Sequence, residues 1–375
     1  MKLWQAGAIF FACFLAFFPY FFFRVDLIGV DAYFFFSQVC KKTEFSEFFS
    51  QPIGAQIVFS LMPCSFFAAK LLLFACLFAG VLGIAFLGKV FDEKNGWRAG
   101  LFAFLSPLLV FEFAKFENDA LAFPFLFWAA YFFYSSGLKN KFIACVLGGI
   151  ALLFWYPSLL FLVGLFLGSA IVLPFFFALL IKIEAVLSFL FDSCNVLEMQ
   201  SLKGVLYFFL LSAGYLGALN SGLLLQTLFF TVLAVLRFKL AFLTVPFLAV
   251  GLSCFFLNAR NRVQCRRKAF VSGFFAVLGL GLALCWGVCL LFQPPFESDW
   301  QAIDFALEQA SLCGLPLKNH WDFGYWVGFK GVFPSAYAGV GAVQDYNGSI
   351  VLTSSASSLP CTLLKDFLTA KVWKC

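Results

Sequence analysis

Glu117 and Asp119 stand two residues apart in the stretch 111–122 (FEFAKFENDALA), between apolar runs at 99–110 and 121–134 that read as membrane helices. Two carboxylates at a helix end in such surroundings are costly unless something pairs with them or coordinates them. Three chemistries fit: a solvated interfacial turn, with Lys115 and Asn118 as polar company; an ion pathway; or a divalent-metal site, because hard cations take clustered carboxylate oxygens. Further acids extend the choice. Asp31 lies in LIGVDAYFFFSQV and reads alone as a helix N-cap or loop acid. Glu198, in NVLEMQ, reads alone as a loop residue. Four carboxylates converging near one membrane surface would repel one another unless a cation neutralised them. The group therefore favours a metal more than any single member does.

Two other stretches carry polar chemistry. Arg237, in VLRFKLAFLTVPF, sits between apolar spans, where a long cationic side chain snorkels by default. Its planar, permanently charged fork also suits phosphate oxygens. The string 319–326 (NHWDFGYW) packs four aromatics, a carboxylate and a glycine together. It can be the core of a small domain. Equally, an exposed Trp321–Asp322 pair can bind a short peptide, the indole against a methyl and the polar groups accepting a hydroxyl hydrogen bond. His320 is a ligand, a base or an ordinary packed imidazole.

The elements that must position these residues are membrane helices. The 375-residue chain is 63% hydrophobic and 12% charged, with a mean hydropathy of +0.97, which excludes a soluble domain and indicates an all-α polytopic membrane protein. A net charge of +6, carried in loops between apolar runs, gives no case for nucleic acid. Several of the 13 cysteines (Cys13, Cys76, Cys145, Cys285, Cys289) fall inside apolar runs, and no Cys/His metal spacing occurs. Cysteine usage alone therefore leaves the redox compartment open.

About eleven spans are expected, over 5–23, 67–88, 99–111, 121–134, 142–155, 158–181, 185–191, 205–219, 222–236, 238–257 and 269–292. Several fall short of the roughly 20 residues of a full crossing. The first reads as a retained span, since no small-residue cleavage site follows it. Residues 26–50 read as a loop with amphipathic helical character. The basic cluster Arg260, Arg262, Arg266, Arg267 and Lys268 is expected in the cytoplasm. Counting back puts the N-terminus inside. Asp31, the Glu117/Asp119 turn, the loop 192–203 and everything after Phe292 then fall outside. Beyond Gln293-Pro294-Pro295, Gly, Ser, Asp and Asn become frequent. We expect a transmembrane domain over 1–292 and a small α+β extracytoplasmic domain over 293–375, with a helix at 298–310 and a strand at 349–353. No repeat of 20 to 50 residues is visible, which weighs against an inverted-repeat transporter.

The string His320-Trp321-Asp322-Phe323-Gly324 resembles the Trp-Trp-Asp-Tyr-Gly signature of the oligosaccharyltransferase catalytic subunits, membrane glycosyltransferases of the GT-C class. Asp31 sits where that family has its first-loop Asp. Glu117-Asn118-Asp119 resembles its Asp-x-Asp/Glu motif, Asn195-Val196-Leu197-Glu198 its Thr/Ser-x-x-Glu motif, and Arg237 its arginine facing the lipid pyrophosphate. All five follow family order over residues 31–345. Departures are His320 for a Trp, Glu for the first Asp, fewer spans and a C-terminal domain much reduced.

The resemblance implies a GT-C-like bundle in a multi-pass plasma-membrane enzyme. It implies inverting transfer of a glycan from a polyprenyl (dolichyl-type) phosphate or pyrophosphate to the Asn of Asn-x-Ser/Thr in an acceptor polypeptide on the outer face. Asp31 and Glu198 would act on the acceptor amide. Asp31, Glu117, Asp119 and Glu198 would hold Mg²⁺ or Mn²⁺, and Arg237 would bind the lipid phosphate. Trp321, Asp322 and His320 would bind the acceptor. Two alternatives remain: a GT-C enzyme using a lipid monophosphate sugar and another acceptor, and an ion-coupled transporter. The transporter would place its acids at the bilayer midplane on broken helices.

Overall fold

The computed structural model describes residues 1–29, 31–40, 52–167, 169, 212–236, 238–255, 262–320, 323–331, 346–355 and 357–375. Helices α1 (Leu3–Phe22), α2 (Asp31–Val39), α3 (Ile53–Leu61) and α4 (Phe66–Phe91) open the chain. There follow α5 (Ala99–Phe102), α6 (Pro107–Ala114), α7 (Asn118–Tyr134), α8 (Leu138–Phe154) and α9 (Ser158–Phe166), then α10 (Ser212–Ser221), α11 (Leu224–Leu236), α12 (Val245–Phe255) and α13 (Arg262–Leu290). The chain is an integral membrane protein. Among the described residues three helices are long and apolar enough to cross a bilayer, Leu3–Phe22, Phe66–Phe91 and Phe270–Leu290, or four if one bent pair counts as a span. That is fewer than the eleven expected. The run 185–191 and the first part of 205–219 lie outside the described residues.

One expected span is broken at a proline, and a second changes helix type beside one. Over 99–111, a 3₁₀ turn (Ala103–Leu105) leads into an extended Ser106, and α6 leaves bent by 79°. Pro107 forces this, because its ring crowds the helical conformation of the residue before it. Over 238–257, a 3₁₀ segment (Phe238–Thr244) precedes α12, whose second residue is Pro246. Lacking an N–H, Pro246 cannot continue a helical ladder from that segment.

The helices pack through small residues and phenylalanine rings. α10 and α12 meet at Gly214, Gly217 and Gly251, where a Cβ on Gly217 would overlap the Gly251 carbonyl. Without a hydrophobic drive between helices in lipid, such close backbone approach is what holds them. Phe161, Phe230 and Phe247 are buried in series, with centroids 5.1 Å apart at each step. The five cysteines expected in spans are free thiols, whereas Cys40–Cys64 and Cys361–Cys375 form disulfides.

After α13 come α14 (Glu297–Cys313), β1 (Leu317–Asn319), α15 (Gly324–Phe329), β2 (Ile350–Ser354), β3 (Thr362–Asp366) and β4 (Ala370–Lys374). The sheet order is β1-β2-β4-β3, with β1 and β2 parallel and the other pairs antiparallel. α14 starts where Asp299 reaches back to the Phe296 N–H (2.7 Å) and stops at Gly314, whose φ of +63° suits glycine. Ala302, Ile303 and Ala306 pack with Ile350, Leu352 and Val372 in one core. β3 is an edge strand, largely exposed, with a bulge between Leu363 and Lys365.

Candidate functional site

Glu117 is the N-cap of α7 and Asp119 lies in its first turn. A helix N-terminus leaves backbone N–H groups unbonded and favours negative charge, so acids here are placed by local physics. Asp119 Oδ1 accepts from the Ala120 N–H at 2.7 Å. Burial separates this turn from a plain solvated one: Glu117 is 5% and Asp119 1% exposed. Lys115 forms a 3.5 Å ion pair with the buried Glu112, one turn back on α6.

Asp31 begins α2 and is exposed. The segment leading to it lies against the acidic turn, because Ile28 and Lys115 form a parallel β-bridge. Both chains therefore leave the bridge in the same direction, one toward Asp31 and the other toward Glu117. Gly29, at φ +93°, turns the backbone between the bridge and Asp31, a conformation that L side chains rarely adopt. The faces beyond the bridge are closed by rings, with Phe116 4.9 Å from Phe59 and 6.1 Å from Phe36.

The same segment meets the aromatic string. His320 is half-buried where β1 ends; its N–H donates to Leu352 O at 2.8 Å and its carbonyl accepts from Phe323 N at 3.0 Å. Of the string, Asn319 thus ends β1 and Phe323 leads into α15. α15 packs on α2 through Phe34–Tyr325 (5.1 Å), Tyr33–Phe329 (5.2 Å) and Phe36–Phe329 (5.9 Å). Trp326 Nε1 donates to Gly29 O at 3.4 Å. Burial first, and then the nearby Asp26 carboxylate, push the Tyr33 hydroxyl above the ordinary phenol range. It stays protonated and spans Leu27, 3.2 Å from its N and 3.3 Å from its O.

The structure thus brings together the segments bearing Asp31, Glu117/Asp119 and His320. Glu198, Arg237, Trp321 and Asp322 lie outside the described residues. Gly29 and Trp326, which join the three segments, were not among the residues singled out from sequence. Their signal, a glycine two residues before Asp31 and the last Trp of the string, is weak. Among the described residues no three His, Cys, Asp or Glu side chains gather as a metal site. The carboxylate donors suit a hard divalent cation in chemical type, but the described acids do not by themselves make a centre for one.

No protein-family model matches the sequence, and no curated protein matches it. Solved structures do. The Archaeoglobus fulgidus oligosaccharyltransferase AglB, in complex with an inhibitory peptide and a dolichol-phosphate, matches with a TM-score of 0.62 at 13% identity, over 94% of this chain and 69% of that one. ArnT from Cupriavidus metallidurans, bound to undecaprenyl phosphate, matches at 0.58 and 13%, over 99% and 97%. The Archaeoglobus enzyme in complex with Zn and sulfate matches at 0.59 and 13%, over 93% and 67%. The chain thus has the fold of the oligosaccharyltransferases and of ArnT, the GT-C-like fold that its motifs led us to expect.

Proposed function

We propose that the chain transfers a glycan from a polyprenyl phosphate or pyrophosphate to the Asn of Asn-x-Ser/Thr on the outer face of the membrane. The observation that carries this reading is the Ile28–Lys115 bridge, which sets the Asp31 segment beside a buried acid pair in a fold shared with transferases bound to lipid phosphates. Two disulfides support the outward orientation: Cys40–Cys64 follows Asp31, and Cys361–Cys375 lies in the proposed outer domain 293–375. Disulfides persist in oxidising compartments.

An amide nitrogen is a poor nucleophile because its lone pair is delocalised into the carbonyl. Carboxylates of Asp31 and Glu198, accepting from the two N–H bonds, would turn it out of conjugation. The nitrogen then attacks the anomeric carbon from the face opposite the phosphate. The C–O bond to phosphate breaks with its electron pair on oxygen, the anomeric configuration inverts, and an N–H proton passes to a carboxylate. Arg237 holds charge on the departing phosphate. A Mg²⁺ or Mn²⁺ held by Asp31, Glu117, Asp119 and Glu198 would supply further charge stabilisation when bound. Trp321 and Asp322, with His320 beside them, receive the Ser or Thr hydroxyl two residues after the acceptor.

Membranes carrying the protein, given a lipid-linked sugar and labelled peptides, should glycosylate Asn-x-Thr and leave Asn-x-Ala untouched. Equal use of both peptides would overturn the assignment. A second reading, a lipid monophosphate sugar passed to a different acceptor, is favoured by one observation: the match extends over 97% of ArnT but 69% of AglB. That enzyme would use neither peptide yet would still consume the donor.

A further inference from the structure

Where the first span ends, residues 24–29 are tied from three directions. Arg24 is 8% exposed, and all three of its guanidinium nitrogens are bonded. Nε meets Asp26 Oδ1 at 2.7 Å. Nη1 donates to Leu290 O (3.1 Å) and Gln293 O (2.6 Å), the last turn of α13 and the residues after it. Nη2 donates to Pro295 O (2.7 Å) and Leu27 O (3.4 Å). Asp26 Oδ2 accepts from Trp300 Nε1 of α14 at 3.2 Å. Lys70 of α4 caps the end of α1 from the other side, donating to the carbonyls of Tyr20 (3.1 Å), Arg24 (2.6 Å) and Val25 (3.2 Å). Gly29 N donates to Pro294 O at 3.0 Å.

Adhesion alone does not call for this arrangement. Rings of Tyr33, Trp300 and Phe329 already pack α2 against α14 and α15, with Tyr33–Trp300 centroids 5.3 Å apart. Burying a guanidinium–carboxylate pair carries a desolvation cost that often equals its attraction, so its net stabilisation is small. What such a pair supplies is direction. A planar fork bonded to four carbonyls and a carboxylate admits one placement of the strands around it. The strand it places runs through Ile28, the bridge residue, to Asp31.

We propose that Arg24, Asp26 and Trp300 are positioning residues, a strap that holds the Asp31 segment in register with the acidic turn and with the C-terminal unit at once. The role rests on the transferase reading above, but the register itself does not. Two arms separate them. In the first, Ile28→Cys and Lys115→Cys are combined in the full-length membrane protein, and cross-linking under copper–phenanthroline reports the bridge. The second measures glycan transfer in single variants with native Ile28 and Lys115. Trp300→Phe keeps an aromatic ring but removes the indole N–H together with part of the packing surface; Asp26→Asn, which leaves the rings untouched, keeps an acceptor oxygen and removes the charge.

Both changes should slow cross-linking severalfold and lower kcat about ten- to hundredfold, the range that a misplacement near 1 Å produces. The peptide KM should change less than kcat, because the strap touches no acceptor group and acts through the alignment of Asp31 with the acidic turn. Unchanged cross-linking in both variants overturns the proposal, whatever the activity. So does a loss of activity that only follows the loss of monodisperse protein, with kcat per folded molecule preserved. A wild type that transfers no glycan yet loses the cross-link in both variants would sink the transferase reading and leave the strap standing.

Discussion

The helical bundle and the junction outside it are held by opposite means. Inside, α10 and α12 touch backbone to backbone at Gly214, Gly217 and Gly251, and phenylalanine rings fill the spaces between helices. Outside, few glycines approach, and directional bonds from Arg24, Lys70, Trp300 and Trp326 fix a short strand. The difference follows from the solvent. Lipid offers no hydrophobic drive between helices, so shape must do the work. At the water boundary polar groups can be exchanged for hydrogen bonds, and geometry is set by angle and distance. Packing makes the bundle; bonding aims the candidate site.

The largest expected effect breaks the bundle side. Gly217→Leu would drive a side chain into the Gly251 carbonyl, so α10 and α12 must part. Monodisperse protein should be lost on size-exclusion chromatography. The same change at Gly149 of α8, which has no atom within 4 Å of its Cβ position, should leave it intact. Next comes the outer side. Asp119→Asn and Glu117→Gln should each lower glycan transfer roughly a hundredfold, a typical cost of removing one charge-stabilising group, with normal elution. If the two acids hold a cation, chelation should mimic them and Mn²⁺ or Mg²⁺ should restore the wild type alone.

A subtler effect is expected from Trp321→Ala and Asp322→Ala. The peptide KM should rise about ten- to hundredfold, the cost of a lost hydroxyl hydrogen bond, while hydrolysis of the lipid-linked donor is unaffected. The smallest effect concerns Asp299. Burial raises its carboxyl above the ordinary range, and the Thr369 hydroxyl and Phe296 N–H oppose the shift. A carboxyl raised in the folded state favours the protonated form there. Its stabilisation is complete below the unfolded value of about 4 and is lost as pH rises through the folded one. Unfolding temperature should therefore fall slightly over that window, and Asp299→Asn should flatten the profile.

Much of this was legible in the sequence, and the failures have physical causes. The acidic pair at the start of α7 and the change of composition after Gln293 stand out because charge is rare in this chain. The helix Glu297–Cys313 and strand Ile350–Ser354 fall within a few residues of expectation. The break at Pro107 was readable in principle, but apolar composition outvoted a single proline in that window. Arg24 and Asp26 were not singled out from the sequence. Three of the acceptors that hold Arg24 are backbone carbonyls more than 260 residues away, and a carbonyl has no letter in a sequence. Cys40 and Cys64 could not be paired for a similar reason, since spacing alone does not say which cysteines meet.

Those disulfides bear on how the protein is made. Each joins near neighbours in the chain, with separations of 24 and 14 residues. In the outward orientation proposed above, Cys40–Cys64 can close as soon as its loop has left the translocation channel, while most later helices are still unsynthesised. Cys361–Cys375 can close without reference to anything before α14. Neither bond waits for the bundle to assemble, so an error in one leaves the other free to form. A nascent chain arrested after α8, trapped on the ribosome and alkylated, should already carry the first bridge.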